Sequence, residues 1–225
     1  MLGKVLVVLS LAVVLSIGAM GAEVAYADPI GPSCGTCQGS IYTLSYSGIP
    51  LPEVINDPAH ETFRITLMID TSGYSGGGVA IDAAAIKVSS SAFSSSLFDA
   101  PGSLADWALV SGGINAGGCS GAGSGFDCAD WIALGPGAAV GGTLAWTFDQ
   151  TIDNGILFTN SLEASIKARY VTSAGDKIGD LVSENITLQT PPNPVPEPAS
   201  LLLLGSGLAG LGLWGWKRRR EEVQA

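Results

Sequence analysis

The side chains that could do chemistry are few in this 225-residue chain. His60 is the only histidine, so any catalytic arrangement built on an imidazole must include it. It lies in the turn-forming segment Asp57-Pro58-Ala59-His60-Glu61, where a surface histidine is the expected reading. A metal site made of several histidines from one chain is excluded, and the sequence predicts no metal site and no cofactor.

Two pairs of acids are the next candidates for a polar site. Asp127 and Asp130 flank Cys128, and Asp149 and Asp153 precede a turn. Either pair could ligate calcium together with loop carbonyls, but neither matches an EF-hand, so solvated loop acids are favoured. A glycoside hydrolase also needs two carboxyl groups, but at a separation that sequence cannot establish. We therefore predict no catalytic residue and no enzyme, and a hydrolase is the disfavoured alternative.

Tryptophans offer a different chemistry, the stacking of sugar rings. Trp107 and Trp131 lie near loops, where aromatic rings of sandwich-fold carbohydrate binders contact their ligands. Packing against a sheet is the commoner role of a tryptophan. Trp146 lies on the apolar side of an alternating stretch and is expected in the core.

The start of the chain has the pattern of a signal peptide over residues 1–27. Lys4 supplies a positive charge, an apolar run covers Val5 to Ile17, and Ala25-Tyr26-Ala27 has small residues where a signal peptidase needs them. We predict a mature chain that begins at Asp28.

Four cysteines follow the predicted signal peptide, namely Cys34, Cys37, Cys119 and Cys128. An even number in an exported chain indicates two disulfides with three possible connectivities, and the short separations favour Cys34–Cys37 and Cys119–Cys128. A zinc site and a redox motif at Cys34-Gly35-Thr36-Cys37 are weaker alternatives, because the spacing and the Gly/Pro-rich surroundings suit neither.

The segment from Asp28 to Val195 is strongly acidic. It contains 16 acidic and 5 basic side chains, a difference of −11. So few basic groups argue against a nucleic-acid partner, because little is present to neutralise phosphates. The balance is typical of a soluble protein outside the cell.

Short alternating runs separated by glycine-rich turns predict β-strands through the middle of the chain. Residues 42–46, 63–69, 144–148 and 166–170 alternate between apolar and polar, with a period of two. The run 79–88 changes phase, which predicts a β-bulge near Ala83–Ala85. Residues 112–125 are expected to form a long glycine-rich loop. The sequence predicts an all-β ectodomain over residues 28–190, an antiparallel β-sandwich that is jelly-roll-like.

The composition changes sharply after Thr190. Residues 191–198 form a proline-rich spacer, and residues 199–216 are an apolar stretch that would be about 27 Å long as a helix. That length just spans the hydrocarbon core of a bilayer, so we predict a single transmembrane helix followed by a basic cytoplasmic tail at residues 217–225. The predicted anchor residues are Leu201, Leu204, Gly207, Gly210, Trp214 and Trp216, and the basic stop-transfer residues are Lys217, Arg218, Arg219 and Arg220.

The order of these parts resembles the PEP-CTERM sorting domain. Pro196-Glu197-Pro198, a glycine-containing apolar helix and a terminal basic cluster occur together at the end of the chain. The resemblance implies an exported protein of a Gram-negative bacterium, recognition by the membrane enzyme exosortase, cleavage at or near the motif, and an association with extracellular polysaccharide and biofilm. A plain single-pass anchor with a proline-rich stalk is the alternative.

Together these features predict an exported, non-enzymatic surface or matrix protein that exosortase processes. The ectodomain would first lie in the periplasm on an inner-membrane anchor, and then at the cell surface or outside the cell. The alternative function is a carbohydrate-binding module that acts on extracellular polysaccharide.

Overall fold

The structure is a computed structural model that describes residues 24–26, 28–47, 51, 59–89, 94–121, 123, 125–153, 163–178 and 182–187. Most of the predicted signal peptide, and the whole spacer, predicted helix and basic tail, lie outside these residues. Within the described part of the chain, no helix is long and apolar enough to cross a membrane.

The described residues form strands and one short 3-10 helix, Leu104–Asp106. In chain order the strands are β1 (Val24–Tyr26), β2 (Ile41–Ser47), β3 (His60–Asp70), β4 (Ala80–Lys87), β5 (Ser94–Asp99), β6 (Trp107–Ser111), β7 (Gly113–Asn115), β8 (Gly118–Gly121), β9 (Asp127–Trp131), β10 (Ala138–Ala139), β11 (Thr143–Asp153), β12 (Glu163–Val171) and β13 (Val182–Thr187).

Two antiparallel sheets face each other. Sheet 1 has the order β1-β2-β3-β11-β5, and sheet 2 has the order β13-β12-β4-β9-β6 with β10 paired to β4. The chain crosses between the sheets at the β3–β4, β4–β5, β5–β6, β10–β11 and β11–β12 connections. This confirms the predicted antiparallel β-sandwich.

Alternation along β3 and β11 creates the core. The two strands pair over their whole length, with Trp146 opposite Leu67 and Phe148 opposite Ile65. These four side chains are buried, while the residues between them are partly exposed. A period of two therefore sends one side of each strand into the sandwich, as the sequence predicted. From sheet 2, Tyr170 reaches Tyr42 of sheet 1 through a 2.7 Å hydrogen bond between hydroxyl groups.

The predicted bulge in the run 79–88 exists, but it lies one residue earlier than expected. Arg169 of β12 pairs with Ala83, and the next residue, Tyr170, pairs with Ile81. Asp82 is therefore the extra residue in β4. The bulge switches the phase of the strand, so that Ile81 and Ala84 both pack in the main core.

The segment predicted as a glycine-rich loop contains a small hairpin, β7–β8, that covers the outer side of sheet 2. Ile114 and Phe126 pack there against Ala83 and Ala85 of β4. Both sides of β4 are consequently buried. The alanines leave room for the hairpin to lie close to the strand.

The N-terminal segment closes one side of the sandwich. β1 pairs with β2, Ile30 forms a bridge with Tyr42, and the Asp28 amide donates to the Thr187 carbonyl at 3.1 Å. β1 consists of residues predicted to belong to the signal peptide. Cleavage after Ala27 would remove β1 and leave Asp28 as the first residue.

Candidate functional sites

The two tryptophans that are candidates for stacking on sugars have different environments. Trp107 and Trp131 are opposite each other in the β6–β9 pair. Trp107 is only 5% exposed, contacts Trp131 and Trp146 edge to face, and donates from Nε1 to the Pro101 carbonyl at 3.0 Å. Trp107 therefore packs in the core, the commoner role of a tryptophan, and little of its ring surface is left to contact a ligand.

Trp131 keeps a partly exposed ring at the end of β9. Its Nε1 donates to the Gly135 carbonyl at 3.1 Å, which fixes the ring against the following loop. That loop exposes two further apolar side chains, Ile132 at 61% and Leu134 at 100%. Trp131 therefore remains a candidate for ligand contact.

All four cysteines are disulfide-bonded in the pairs that the short separations favoured. The Cα atoms are 5.2 Å apart in Cys34–Cys37 and 5.7 Å apart in Cys119–Cys128. The second bond joins β8 to β9 and so fastens the β7–β8 hairpin to sheet 2. With every thiol in a disulfide, the cysteines provide no zinc ligands.

The first pair of acids is split between the two sides of β9. Asp127 faces sheet 1 and accepts hydrogen bonds from Ser95 Oγ at 2.7 Å and from Gln150 Nε2. Asp130 faces the hairpin and accepts from the Cys119 amide at 3.4 Å. Two carboxylates on opposite sides of a strand cannot hold the same ion, so this alternative is not realised.

Burial disfavours the ionised form of the Asp127 carboxyl group. The residue is 7% exposed, and burial raises the pKa of its carboxyl group, although Ser95 and Gln150 oppose this shift as hydrogen-bond donors. Gln150 is itself buried, and its Oε1 has no hydrogen-bond partner. The hydrogen bonds of Asp127 to Ser95 and Gln150 link the two sheets. Burying an unpaired polar atom such as Gln150 Oε1 costs free energy of folding.

A second polar cluster lies at the bulge. The Arg169 guanidinium binds both carboxylate oxygens of Asp82, with Nε–Oδ1 at 2.7 Å, and donates to the Ala116 carbonyl at 2.7 Å. Burial raises the pKa of the neighbouring Asp130. Arg169 thus links β12, the bulged β4 and the hairpin, which is a structural role.

The other predicted acids also have partners. Asp153 lies 3.3 Å from His60 Nε2 at the end of the β3–β11 pair. Asp149 accepts from Nε and NH2 of Arg64, both at 2.8 Å. Asp149 and Asp153 are four residues apart in one strand, about 13 Å, which is too far to share a metal ion. In the described part of the chain, no three His, Cys, Asp or Glu side chains are close enough to bind a metal together.

The outer side of sheet 1 carries many hydroxyl groups, and we call it the hydroxyl face. Two cross-strand pairs link its central strands, Thr62 with Thr151 at 2.8 Å and Thr66 with Thr147 at 3.0 Å. The hydroxyl-bearing residues of this face include Thr43, Ser45, Thr62, Thr66, Thr147, Thr151, Ser94 and Ser96.

An exposed aromatic ring lies on the hydroxyl face. Phe98 is 51% exposed, and the Arg64 guanidinium carbon is 3.3 Å from the centre of its ring. The sequence pattern did not indicate a role for this residue. Phe98 is the extra residue of a bulge in β5, between partners of Thr147 and Phe148, so no alternation indicated which way it points.

The sorting-tag residues, from Pro196-Glu197-Pro198 to Arg220, lie outside the described residues, and sequence comparison provides the evidence for them. Residues 194–220 match the sequence profile of the PEP-CTERM protein-sorting motif. The chain carries a PEP-CTERM sorting motif. The motif implies an exported protein that is anchored in a membrane and then processed, with exosortase as the processing partner.

The other comparisons concern the body of the chain. No curated protein is significantly similar in sequence. An uncharacterized protein from Nocardia farcinica with an immunoglobulin-like fold is 15% identical, with a TM-score of 0.35 over 61% of this chain and 81% of that chain. At that TM-score the likeness indicates nothing about function.

Proposed function

We propose that this protein is a non-enzymatic surface or matrix protein whose β-sandwich is delivered by its C-terminal tag. The observation that carries the proposal is the match of residues 194–220 to the PEP-CTERM motif. The predicted signal peptide supports the same route, because a tag read at the membrane requires prior export.

In this proposal the chain first spans the inner membrane once. Residues 199–216 form the helix, the ectodomain is periplasmic, and the basic residues 217–220 stay in the cytoplasm. Exosortase then cleaves at or near Pro196-Glu197-Pro198, and the ectodomain moves to the cell surface or beyond.

The non-enzymatic part of the proposal rests on how the polar side chains are used. Arg169 holds Asp82, Arg64 holds Asp149, and Asp127 connects the two sheets. These groups are engaged in contacts that stabilise the fold. A hydrolase instead needs two carboxyl groups that are directed into a cleft and can reach a substrate.

The sorting step can be tested by changing the motif in a host that has exosortase. In one variant Pro196, Glu197 and Pro198 all become alanine, and in the matched control Pro191 and Pro192 become alanine in the same spacer. Immunoblots of membrane and external fractions, with an antibody to the ectodomain, should show a shortened external protein for wild type and control. The motif variant should stay full-length in the membrane. Equal processing of all three chains would refute the proposal.

A second candidate function is that of a carbohydrate-binding module acting on extracellular polysaccharide. The observation that favours it is the partly exposed ring of Trp131 at the end of β9, beside the exposed Ile132. A glycan array would test it, since Trp131→Ala should weaken any binding that the wild type shows. Binding that is unchanged by this substitution would remove Trp131 from the site.

A further inference from the structure

We propose that the hydroxyl face of sheet 1 binds an extended, neutral polysaccharide, with the ring of Phe98 as the platform on which a sugar ring stacks. This inference rests on the second proposed function, polysaccharide binding, and is independent of the sorting proposal. It places the binding site on sheet 1 instead of at Trp131.

Phe98 is held as a rigid platform. The Arg64 guanidinium stacks on one side of the ring at 3.3 Å, and the ring remains 51% exposed, so its other side is available to solvent. Arg64 is fixed in turn by its two 2.8 Å hydrogen bonds to Asp149. A ring that is already immobilised loses little conformational entropy on binding, which favours affinity.

Hydroxyl groups lie on the same face of sheet 1 as this platform. Ser96 lies opposite Asp149, and Ser94 lies opposite Thr151 in the β11–β5 pair. Each hydroxyl provides one donor and two acceptor positions, so the Thr62–Thr151 pair still has a donor and several acceptors after bonding to itself. Such groups match the mixed donors and acceptors of sugar hydroxyls.

The face is open and long enough for a polymer. The outward residues of β3 and β11 are all partly or fully exposed, whereas Ala83 and Ala85 on the outer side of sheet 2 are buried under the hairpin. An 11-residue strand such as β3 is about 37 Å long, which accommodates several consecutive sugar rings.

Charge selects a neutral ligand over an acidic one. Arg64 is the sole lysine or arginine in the strands of sheet 1, and Asp149 neutralises it. Asp70, Asp99 and Asp153 lie around the rim, and the whole chain has a formal net charge of −10. An anionic polymer would be repelled, whereas a neutral one meets no electrostatic barrier.

The test is isothermal titration of the full-length protein, purified in detergent micelles, with mixed-linkage β-glucan and galactomannan as neutral polymers and alginate as the acidic one. Phe98→Ala should weaken binding of a neutral polymer roughly tenfold. Phe98→Trp should preserve it, because a larger ring still stacks. Val79→Ala is the matched control, since it removes an exposed apolar side chain beside sheet 2, away from this face and from Trp131, and should bind like wild type.

Thermal unfolding of the same samples separates binding from folding, since Phe98→Ala should unfold near the wild-type temperature. Wild-type affinity in Phe98→Ala, or tighter binding of alginate than of neutral polymers, would overturn the inference. If Trp131→Ala abolishes binding and Phe98→Ala does not, polysaccharide binding stands but this face is wrong. If wild type binds none of the three polymers, both are wrong, while the sorting proposal is unaffected.

Discussion

At the residue scale, burial decides what each side chain of the sandwich can do. Trp107 and Trp131 lie opposite each other in neighbouring strands, and both are next to loops in the sequence. Trp107 is nevertheless in the core, whereas Trp131 is partly exposed. The same applies to Asp127 and Asp130, which differ in the side of β9 that they occupy. The role of a residue therefore follows from what surrounds it, since Trp107 and Trp131 lie on the same side of sheet 2 whereas Asp127 and Asp130 lie on opposite sides of β9.

The first prediction concerns the two tryptophans. Trp107→Ala should lower the free energy of unfolding by about 3–5 kcal/mol, because it empties a packed site between Trp131 and Trp146. Trp131→Ala should cost clearly less, since its ring is partly exposed. Urea unfolding followed by circular dichroism measures both, and equal losses would contradict the assignment of Trp107 to the core.

The second prediction concerns the buried carboxyl group of Asp127, whose pKa is raised by burial. Below the ordinary pKa of an aspartate, about 3.9, the group is protonated in both folded and unfolded chains. As the pH rises through the raised folded pKa, the unfolded chain loses its proton more readily, so this group lowers the free energy of unfolding. Asp127→Asn removes that effect.

Urea unfolding at several pH values should show the Asp127→Asn variant gaining stability relative to wild type as pH rises over this interval. Asp70→Asn is a control of opposite sign, because hydrogen bonds from Ser72 lower the pKa of Asp70. That variant should lose stability relative to wild type as pH rises from the lowered pKa of Asp70 to the ordinary aspartate value of about 3.9, which is below the interval for Asp127. A difference between Asp127→Asn and wild type that does not change with pH would contradict the account.

At the scale of elements, the sequence predicts some parts of this fold better than others. The alternation in β3 and β11 was sufficient because each strand buries one side only, and the phase change in β4 revealed the bulge within one residue. The β7–β8 hairpin was missed because its strands are three and four residues long and rich in glycine. Its position depends on contacts with Ala83 and Ala85, which are distant in sequence.

The candidate sites divide in the same way. The short separations between cysteines predicted both disulfides, and composition with a terminal motif predicted the sorting tag. Phe98 was not predicted, because its exposure results from a bulge in β5 and from pairing with β11, which no local pattern reports.

The third prediction addresses the bulge in β4. Arg169→Met leaves the carboxylate of Asp82 buried without its partner, so the free energy of unfolding should fall by about 3–5 kcal/mol. The double variant Asp82→Ala/Arg169→Met should recover part of this loss. Arg64→Met, which breaks the more exposed pair with Asp149, should cost less. Equal losses in the two single variants, measured by urea unfolding, would contradict the role of Arg169.

The fourth prediction addresses the hairpin and its disulfide. Replacing Cys119 and Cys128 with serine should cost about 2–3 kcal/mol of stability, because the bond restrains a loop of about ten residues. Hydrogen exchange should accelerate in β7, β8 and β4, where the hairpin covers the sheet. Replacing Cys34 and Cys37 is the control and should leave exchange in β4 unchanged. Unaltered exchange in β4 after loss of Cys119–Cys128 would show that the hairpin does not depend on the bond.

At the scale of the whole molecule, the body and the tag have separate tasks. The sandwich is stabilised by its own core, its inter-sheet polar links and two disulfides, whereas the motif at residues 194–220 concerns transport. A tag that is removed after use places no demand on the fold in front of it. In our proposals, the acidic body and its hydroxyl face are the parts that act after delivery.

The most direct test of this account is the intact mass of the protein recovered from outside cells of a host that has exosortase. We predict a chain that begins at Asp28 and ends at or near Pro196-Glu197-Pro198, and that lacks residues 199–225. An external protein that still carries the segment 199–225 would contradict the central claim that the C-terminal tag is read and removed.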